Sequence, residues 1–207
     1  MTRDAAKPAA APASHDLRLL AIAADHLRRF GAKRVTVVSV AEAAGMTHAN
    51  VYRYFPSKLA LIDAVAEHWL KSLEAAVAEI ADAPDPADDK LERLLLALAH
   101  AHRDLLLRDR HLFDVYADAA AGSRAIARKH RARLRQLVER VIDEGITTGM
   151  FEPRDREKAL AFVLDAAYRF TTPVAVRLDT AMPQEQFEIR VGTMIHAIQR
   201  ALSTGIV

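Results

Sequence analysis

Residues 36–61 read TVVSVAEAAGMTHANVYRYFPSKLAL, and this pattern predicts two short helices joined by a tight turn. Thr36 and Thr47 each stand where a side-chain hydroxyl can cap the first free N–H groups of a helix. Gly45 can adopt the positive φ that turns the chain after the first helix. After Pro56, Ser57 can cap a further helix. Two short helices with such a turn are typical of a helix-turn-helix.

The second of these helices is predicted to carry a polar outer face. Val51 and Phe55 are four residues apart and are expected to point into the core. The outward positions are then His48, Ala49, Tyr52 and Arg53, with Asn50 at the edge. Such side chains suit a helix in the major groove, where His and Asn read base edges and Tyr and Arg hold phosphates. The alternative is an ordinary helical corner with a solvated face.

These residues closely resemble the DNA-binding head of the TetR family of bacterial transcriptional regulators. The likeness covers Thr36–Leu61 and the preceding helix with Gly31, and Glu144–Pro153 resembles the junction before the penultimate helix in many members. The resemblance implies an all-α homodimer of about nine helices, with a helix-turn-helix head on a helical-bundle body. It also implies a repressor that binds a palindromic double-stranded DNA operator and is released by a small-molecule effector.

The family likeness assigns roles to individual residues. Thr36 matches a position that often meets a phosphate, Tyr52 matches a phosphate-binding tyrosine, and Lys58 matches a lysine that contacts the DNA backbone. His48, Ala49 and Asn50 match base-reading positions. The candidate DNA-binding set is Thr36, Thr47, His48, Ala49, Asn50, Tyr52, Arg53 and Lys58. Lys58 also lies at a helix N-terminus, which favours anions. Arg53 fits equally well as a solvated or ion-pairing side chain.

The charge distribution supports a polyanion-binding head. Residues 1–58 contain nine Lys and Arg against four Asp and Glu, a net charge of +5, whereas the remainder carries −3. A basic segment on a slightly acidic body favours nucleic acid as a partner. Such an imbalance also occurs by chance in ordinary proteins.

Composition limits the class of protein. With 207 residues and 51% hydrophobic side chains, the chain can bury a core, which excludes a disordered polymer and a collagen. The absence of cysteine excludes disulfides and thiolate sites and fits a cytoplasmic location. No apolar run is long enough for a signal peptide or a bilayer span, so no membrane association is expected.

The pattern predicts three regions: a disordered tail over 1–14, a helix-turn-helix domain over 15–57, and a ligand-binding and dimerisation domain over 58–207. Helices are expected near 16–30, 37–44, 48–54, 58–80, 87–107, 123–144, 153–178 and 183–202, with a short one within 108–116.

By the same resemblance, an effector pocket is expected among helices four to eight of the family fold. His100, Arg103 and Tyr168 are the polar candidates for ligand contact. An arginine in the pocket would favour an anionic effector, although an ion pair with Asp104, Asp114 or Asp165 would also explain it.

The last two helices have the composition of an interface. Apolar stripes run along both: Leu160, Val163, Leu164, Ala167, Phe170, Thr171 and Val174 in one, and Phe187, Val191, Met194, Ile195, Ile198 and Leu202 in the other. Gly192 would allow a close helix approach. These stripes predict a four-helix bundle between two subunits, or else they complete the core of one subunit.

No sequence pattern indicates an enzyme, a cofactor or a metal site. There is no phosphate-binding loop, dinucleotide turn or nucleophile motif. His100 and His102 are two residues apart and so face different sides of a helix, whereas metal pairs on helices are usually four apart. The alternative function is a helical small-molecule- or metal-binding protein without DNA recognition.

Overall fold

The computed structural model describes residues 15–207, and the predicted disordered tail over 1–14 lies outside them. The all-α prediction is confirmed, with ten α-helices and no strand in the described part. The helices are α1 His15–Arg34, α2 Val37–Ala44, α3 His48–Tyr54, α4 Lys58–Asp82, α5 Ala87–Arg108, α6 Arg110–Ala121, α7 Ala125–Thr147, α8 Arg156–Thr171, α9 Pro173–Val176 and α10 Gln184–Ser203, with a 3₁₀ turn at Arg177–Asp179.

The predicted caps of α2, α3 and α4 are confirmed. The hydroxyl of Thr36 accepts a hydrogen bond from the Ser39 N–H at 3.0 Å, and Ser39 Oγ accepts one from the Thr36 N–H at 3.2 Å. At the start of α3 the Thr47 hydroxyl accepts a hydrogen bond from the Asn50 N–H at 3.3 Å. At the start of α4 the Ser57 hydroxyl accepts one from the Ala60 N–H at 3.0 Å. Gly45 has φ of 67°, the left-handed conformation that the turn requires.

The predicted helix from 153 to 178 is wrong in its extent, because the chain breaks at Pro173. Proline cannot donate a backbone hydrogen bond and disfavours the helical conformation in the residue before it. Thr172 accordingly has φ of −110° and ψ of 122°, so α8 ends at Thr171 and α9 starts anew. The short helix expected within 108–116 is present as α6 and extends to Ala121. Its N-terminus is capped by Asp109, whose carboxylate accepts a hydrogen bond from the Leu112 N–H.

Two apolar clusters form most of the core. One, which we call the head cluster, joins α1, α2 and α3 to the first half of α4, and it also includes Leu112 and Phe113 of α6. The other, which we call the body cluster, joins the second half of α4 to α5, α7, α8 and α10. Because α4 and α6 supply part of the head cluster, a shift of either helix changes the packing beneath the helix-turn-helix.

The apolar stripes of the last two helices mostly complete the core of one subunit. Phe187, Val191, Ile195 and Ile198 of α10 are all buried in the body cluster, together with Val163 and other stripe residues of α8. These residues match the second alternative, in which the stripes complete the core of one subunit. What α10 leaves to solvent is its opposite face.

No single helix within residues 15–207 is both long enough and apolar enough to cross a bilayer; only the bent pair Arg156–Thr171 and Pro173–Asp179, at 41° to each other, reaches that length and composition.

Gly145 lets the α7–α8 connection close onto the helix. The Phe151 ring is almost fully buried and lies so close that a Cβ built at Gly145 would overlap it. We expect Gly145→Ala to lower the free energy of unfolding by about 1–3 kcal/mol, as overpacking does. Urea unfolding would measure it. In a Phe151→Leu background the same substitution should cost less, and an unchanged stability in the parent background would contradict this packing.

Candidate nucleic-acid interface and internal cavity

Helix α3 presents a polar face whose position is set by two buried side chains. Val51 is fully buried and Phe55 nearly so, and both belong to the head cluster. On the opposite face His48 and Arg53 are exposed, and Tyr52 is 49% exposed. Among residues 15–207, none hydrogen-bonds to or pairs with these three side chains. They are therefore available to an external partner.

The remaining residues of the predicted interface surround this face. Ala49 is exposed and Asn50 is half-buried at the edge, as the sequence predicts. Thr36 and Thr47 are exposed, although each hydroxyl already accepts a hydrogen bond as a helix cap. The Thr36 hydroxyl also donates its proton to Ser39 Oγ at 3.1 Å. The Thr47 hydroxyl keeps its own proton, so it can still donate to a phosphate oxygen.

Lys58 has a structural contact that the sequence did not reveal. Its ammonium donates a hydrogen bond of 2.8 Å to the backbone carbonyl of Lys33 in the last turn of α1. This contact ties the start of α4 to the end of α1. An ammonium has three N–H groups, so a phosphate contact is compatible with this bond.

A polar junction connects α1 to α6. Arg28 pairs with Asp109 at 3.2 Å, and Nδ1 of His111 lies 3.0 Å from the Arg28 carbonyl. Gly31, with φ of 73°, kinks α1 directly beside the His111 ring, where an added Cβ would lie 3.1 Å from Nε2. The base of the head is thereby attached to α6.

A cavity of about 610 Å³, partly open to solvent, lies between α5, α6, α7, α8 and α9. Much of its wall is apolar and includes Leu95, Leu98, Leu134, Val138 and Leu164. This volume is in the range of small-molecule sites, which are mostly apolar with a few polar groups.

The polar part of the cavity wall is predominantly basic. Arg128, Arg131 and Arg135 line it from α7, against the single carboxylate of Asp165. Arg135 has a long ion pair of 3.6 Å with Glu157, whereas Arg131 has no ion-pair partner within the described residues. The spacing of three and four residues places these arginines on one side of α7, a pattern that the sequence itself contains.

Of the three predicted ligand residues, Tyr168 lines the cavity and the other two do not. His100 is exposed and lies 3.1 Å from Glu188 of α10. Arg103 is buried, donates to Gln184 at 2.9 Å and to the Met182 carbonyl at 2.5 Å, and has its guanidinium 4.5 Å from the centre of the Phe187 ring. His100 and Arg103 therefore lie outside this cavity, because their face of α5 packs on α10 while the cavity lies on the face with Leu95 and Leu98.

Buried aromatic and imidazole rings form a cluster at the cavity wall. His102 is fully buried and stacks on Tyr116, with ring centres 5.6 Å apart. His130 lies edge-on to Tyr116 at 5.8 Å, and its Nδ1 is 2.7 Å from Glu74 of α4. Tyr116 and His130 line the cavity, and His102 lies behind them. The three rings come from α5, α6 and α7, so only the tertiary fold brings them together.

Burial controls protonation in this cluster. It lowers the pKa of His102 to about 3, and the neighbouring His130 lowers it further. Burial also lowers the pKa of His130, although Glu74 opposes the shift. Burial raises the pKa of the Tyr116 phenol. All three groups are therefore neutral near pH 7. Within the described residues, no cluster of three or more His, Asp or Glu has the arrangement of a metal site.

Comparison with known proteins identifies the family. Residues 19–65 match the family model described as bacterial regulatory proteins, tetR family, and residues 87–188 match the tetracyclin repressor-like C-terminal domain. The chain belongs to the TetR family. Members of this family are generally DNA-binding regulators without enzymatic activity.

Individual relatives agree with this assignment. The HTH-type transcriptional repressor KstR2 of Mycolicibacterium smegmatis is 28% identical over 178 residues, which cover 80% of each chain. A TetR/AcrR regulator from Thermobifida fusca has the same fold, with a TM-score of 0.64 and 20% identity over 94% of this chain and all of that one. FadR from Bacillus subtilis, solved with stearoyl-CoA, gives a TM-score of 0.61 and 16% identity over 92% and 99% of the two chains.

The buried His102 of this TetR-family protein predicts a loss of stability in acid. In the unfolded chain the ring has its ordinary pKa of 6.5, whereas in the fold the pKa is about 3. Between these values the unfolded state binds more protons, so the free energy of unfolding falls by about 1.4 kcal/mol per pH unit as the pH decreases. Above pH 7 the ring is neutral in both states and adds no pH dependence.

Urea unfolding at pH 7 and pH 5 would measure this slope. We expect His102→Phe to reduce the loss of stability between these two values. His68→Ala serves as the control, because His68 is exposed on α4. Equal slopes in the parent and in His102→Phe would contradict the buried neutral ring.

Proposed function

We propose that this TetR-family regulator is a dimeric repressor that binds a palindromic operator through α3 and leaves it when an amphipathic anion fills the cavity. The observation that carries the proposal is the exposed, unpartnered face of His48, Tyr52 and Arg53 on a helix held by buried Val51. Such a face on a short, rigidly packed helix fits the major groove.

Within this proposal the DNA-binding residues divide into two groups. His48, Ala49 and Asn50 lie at the start of α3 and would meet base edges, where the sequence is read. Thr36, Thr47, Tyr52, Arg53 and Lys58 surround them and would contact phosphates. The domain division at residues 57 and 58 is part of the proposal, with α4 onward as the ligand-binding and dimerisation domain.

The dimer would form through the outer faces of α8 and α10. On α10, Ile189 is 62% exposed, and Gly192, Thr193 and His196 continue the same face at helical spacing. A Cβ at Gly192 would meet no atom within 4 Å. A flat helix face with a large exposed apolar side chain and a central glycine suits close packing against a second copy around a two-fold axis.

The effector class follows from the cavity wall. Leucine and valine side chains would hold an apolar body, and the arginines of α7 would pair with a carboxylate or phosphate. FadR, a structural relative, is reported with stearoyl-CoA, which combines an acyl chain with phosphates. This relative supports an amphipathic anion without naming the molecule.

Helix α6 offers a path from the cavity to the head. It supplies Tyr116 to the cavity wall, and its first turn contacts α1 through Asp109 and His111. A ligand that moves α6 would shift the end of α1 and the head cluster together, because tightly packed cores move in discrete steps.

Two substitutions on α3 test the DNA face. Tyr52→Phe removes one hydroxyl and should weaken binding to every DNA sequence about equally, by roughly 0.5–3 kcal/mol. His48→Ala should instead relax the preference at one position of each half-site, with a cost of about 1–3 kcal/mol against the best operator and little against random DNA. Gel shifts on an operator selected from a random library would measure both.

Urea unfolding is the control for these variants, since both side chains are exposed and unpartnered and neither should change the midpoint. If His48→Ala left all base preferences intact, the assignment of this face to the groove would be wrong.

Gly192→Lys tests the dimer. Within one subunit the substitution meets open space and replaces a poor helix former, so the free energy of unfolding of the subunit should not fall. In a close two-fold interface it would place two ammonium groups together, so sedimentation should detect monomers and operator affinity should drop. Leu107→Lys, at an exposed position of α5, is the matched control. A Gly192→Lys protein that remains dimeric would exclude this face.

A further inference from the structure

One wall of the cavity holds a buried polar atom without a partner. His130 is 2% exposed, and its Nε2 is buried and has no hydrogen-bond partner within the described residues. The other ring nitrogen, Nδ1, lies 2.7 Å from a Glu74 carboxylate oxygen. A buried nitrogen without a partner costs stability, so its presence at a cavity wall points to a ligand.

The Glu74 contact determines what His130 can bind. An ionised carboxylate only accepts hydrogen bonds, so Nδ1 of His130 carries the proton and donates to Glu74. In the neutral ring, Nε2 then has a lone pair and no proton. It therefore requires a hydrogen-bond donor from the ligand.

Tyr116 supplies the complementary group. It is 4% exposed, lines the same cavity and lies edge-on to His130 with ring centres 5.8 Å apart. The phenol keeps its proton at neutral pH because burial raises its pKa. No residue in the described part of the chain forms a hydrogen bond with it. Its hydroxyl is therefore available to donate to a ligand in the cavity.

We propose that His130 and Tyr116 bind a hydroxyl group of the effector, with Nε2 of His130 accepting its proton and the Tyr116 hydroxyl donating to its oxygen. The effector class is then an amphipathic anion that carries a hydroxyl group on its apolar body. This inference rests on the proposed effector cavity and makes it more specific. A ketone is a poorer fit, because its oxygen lone pairs would face the lone pair of Nε2.

Positional series of fatty acids test this inference by calorimetry. The probes are dodecanoate, hydroxydodecanoates with the hydroxyl at each successive carbon, and the oxododecanoates with a ketone at the same carbons. One or more hydroxy isomers should bind about 2- to 12-fold more tightly than both dodecanoate and the matching ketone, which is the range for one added hydrogen bond.

Variants separate recognition from packing. Tyr116→Phe keeps the ring stacked on His102 and should reduce the preference for the hydroxyl. Glu74→Gln should narrow the preference for hydroxyl over ketone, because an amide can donate to Nδ1 and leave the proton on Nε2. If Glu74 had a purely structural role, Glu74→Gln would lower the affinity for all probes by the same factor. His68→Ala is the control, since His68 is exposed on α4 and does not line the cavity.

The outcomes distinguish this inference from the proposed function. Suppose that dodecanoate binds the protein and releases it from the operator in gel shifts, but the protein binds no hydroxy isomer more tightly. The His130 and Tyr116 inference is then overturned, and the repressor proposal stands. A preference for the ketone would overturn the assigned tautomer and with it the inference. If no acid binds at all, both the hydroxyl site and the anionic effector are wrong, while operator binding in the same gel shifts is judged separately.

Discussion

The burial of Val51 is the interaction on which the DNA-facing surface depends. Helix α3 has seven residues, and a helix of that length is not stable alone in water. It is held because Val51 and Phe55 enter the head cluster, and because Thr47 satisfies a free N–H group at its start. A rigid α3 can present His48 and Tyr52 without losing entropy on DNA binding, whereas a flexible segment would lose it.

The same cluster explains how events in the body can reach the head. Leu61 and Val65 of α4 and Phe113 of α6 are packed in it, so the head shares its core with two body helices. Farther along, α4 carries Glu74 to His130, which lines the cavity, and α6 carries Tyr116 to the cavity wall. Each helix thus touches the ligand site at one point and the head at another. Ligand-driven coupling would require these contacts to differ between the free and the occupied state.

Local structure was largely predictable from the sequence, because caps and turns depend on neighbouring residues. Thr36, Gly45 and Ser57 each act within four residues of themselves, and each has the predicted role. Pro173 carried an equally local signal that a continuous apolar pattern obscured. By contrast, the face of α5 that meets the cavity depends on which helix packs on each side. His100 and Arg103 lie toward α10, and no periodicity within α5 contains that information.

The imidazole cluster shows why the ligand site was harder to predict than the fold. His102 comes from α5, Tyr116 from α6 and His130 from α7, so only tertiary packing brings them together. Apolar side chains of similar size would fill this volume without buried, unpartnered nitrogens and would be more stable. Stability alone therefore does not account for the cluster. A ligand that satisfies His130 would offset part of this cost. It would move α4 and α6 only to the extent that it binds one arrangement of these helices more tightly than the other.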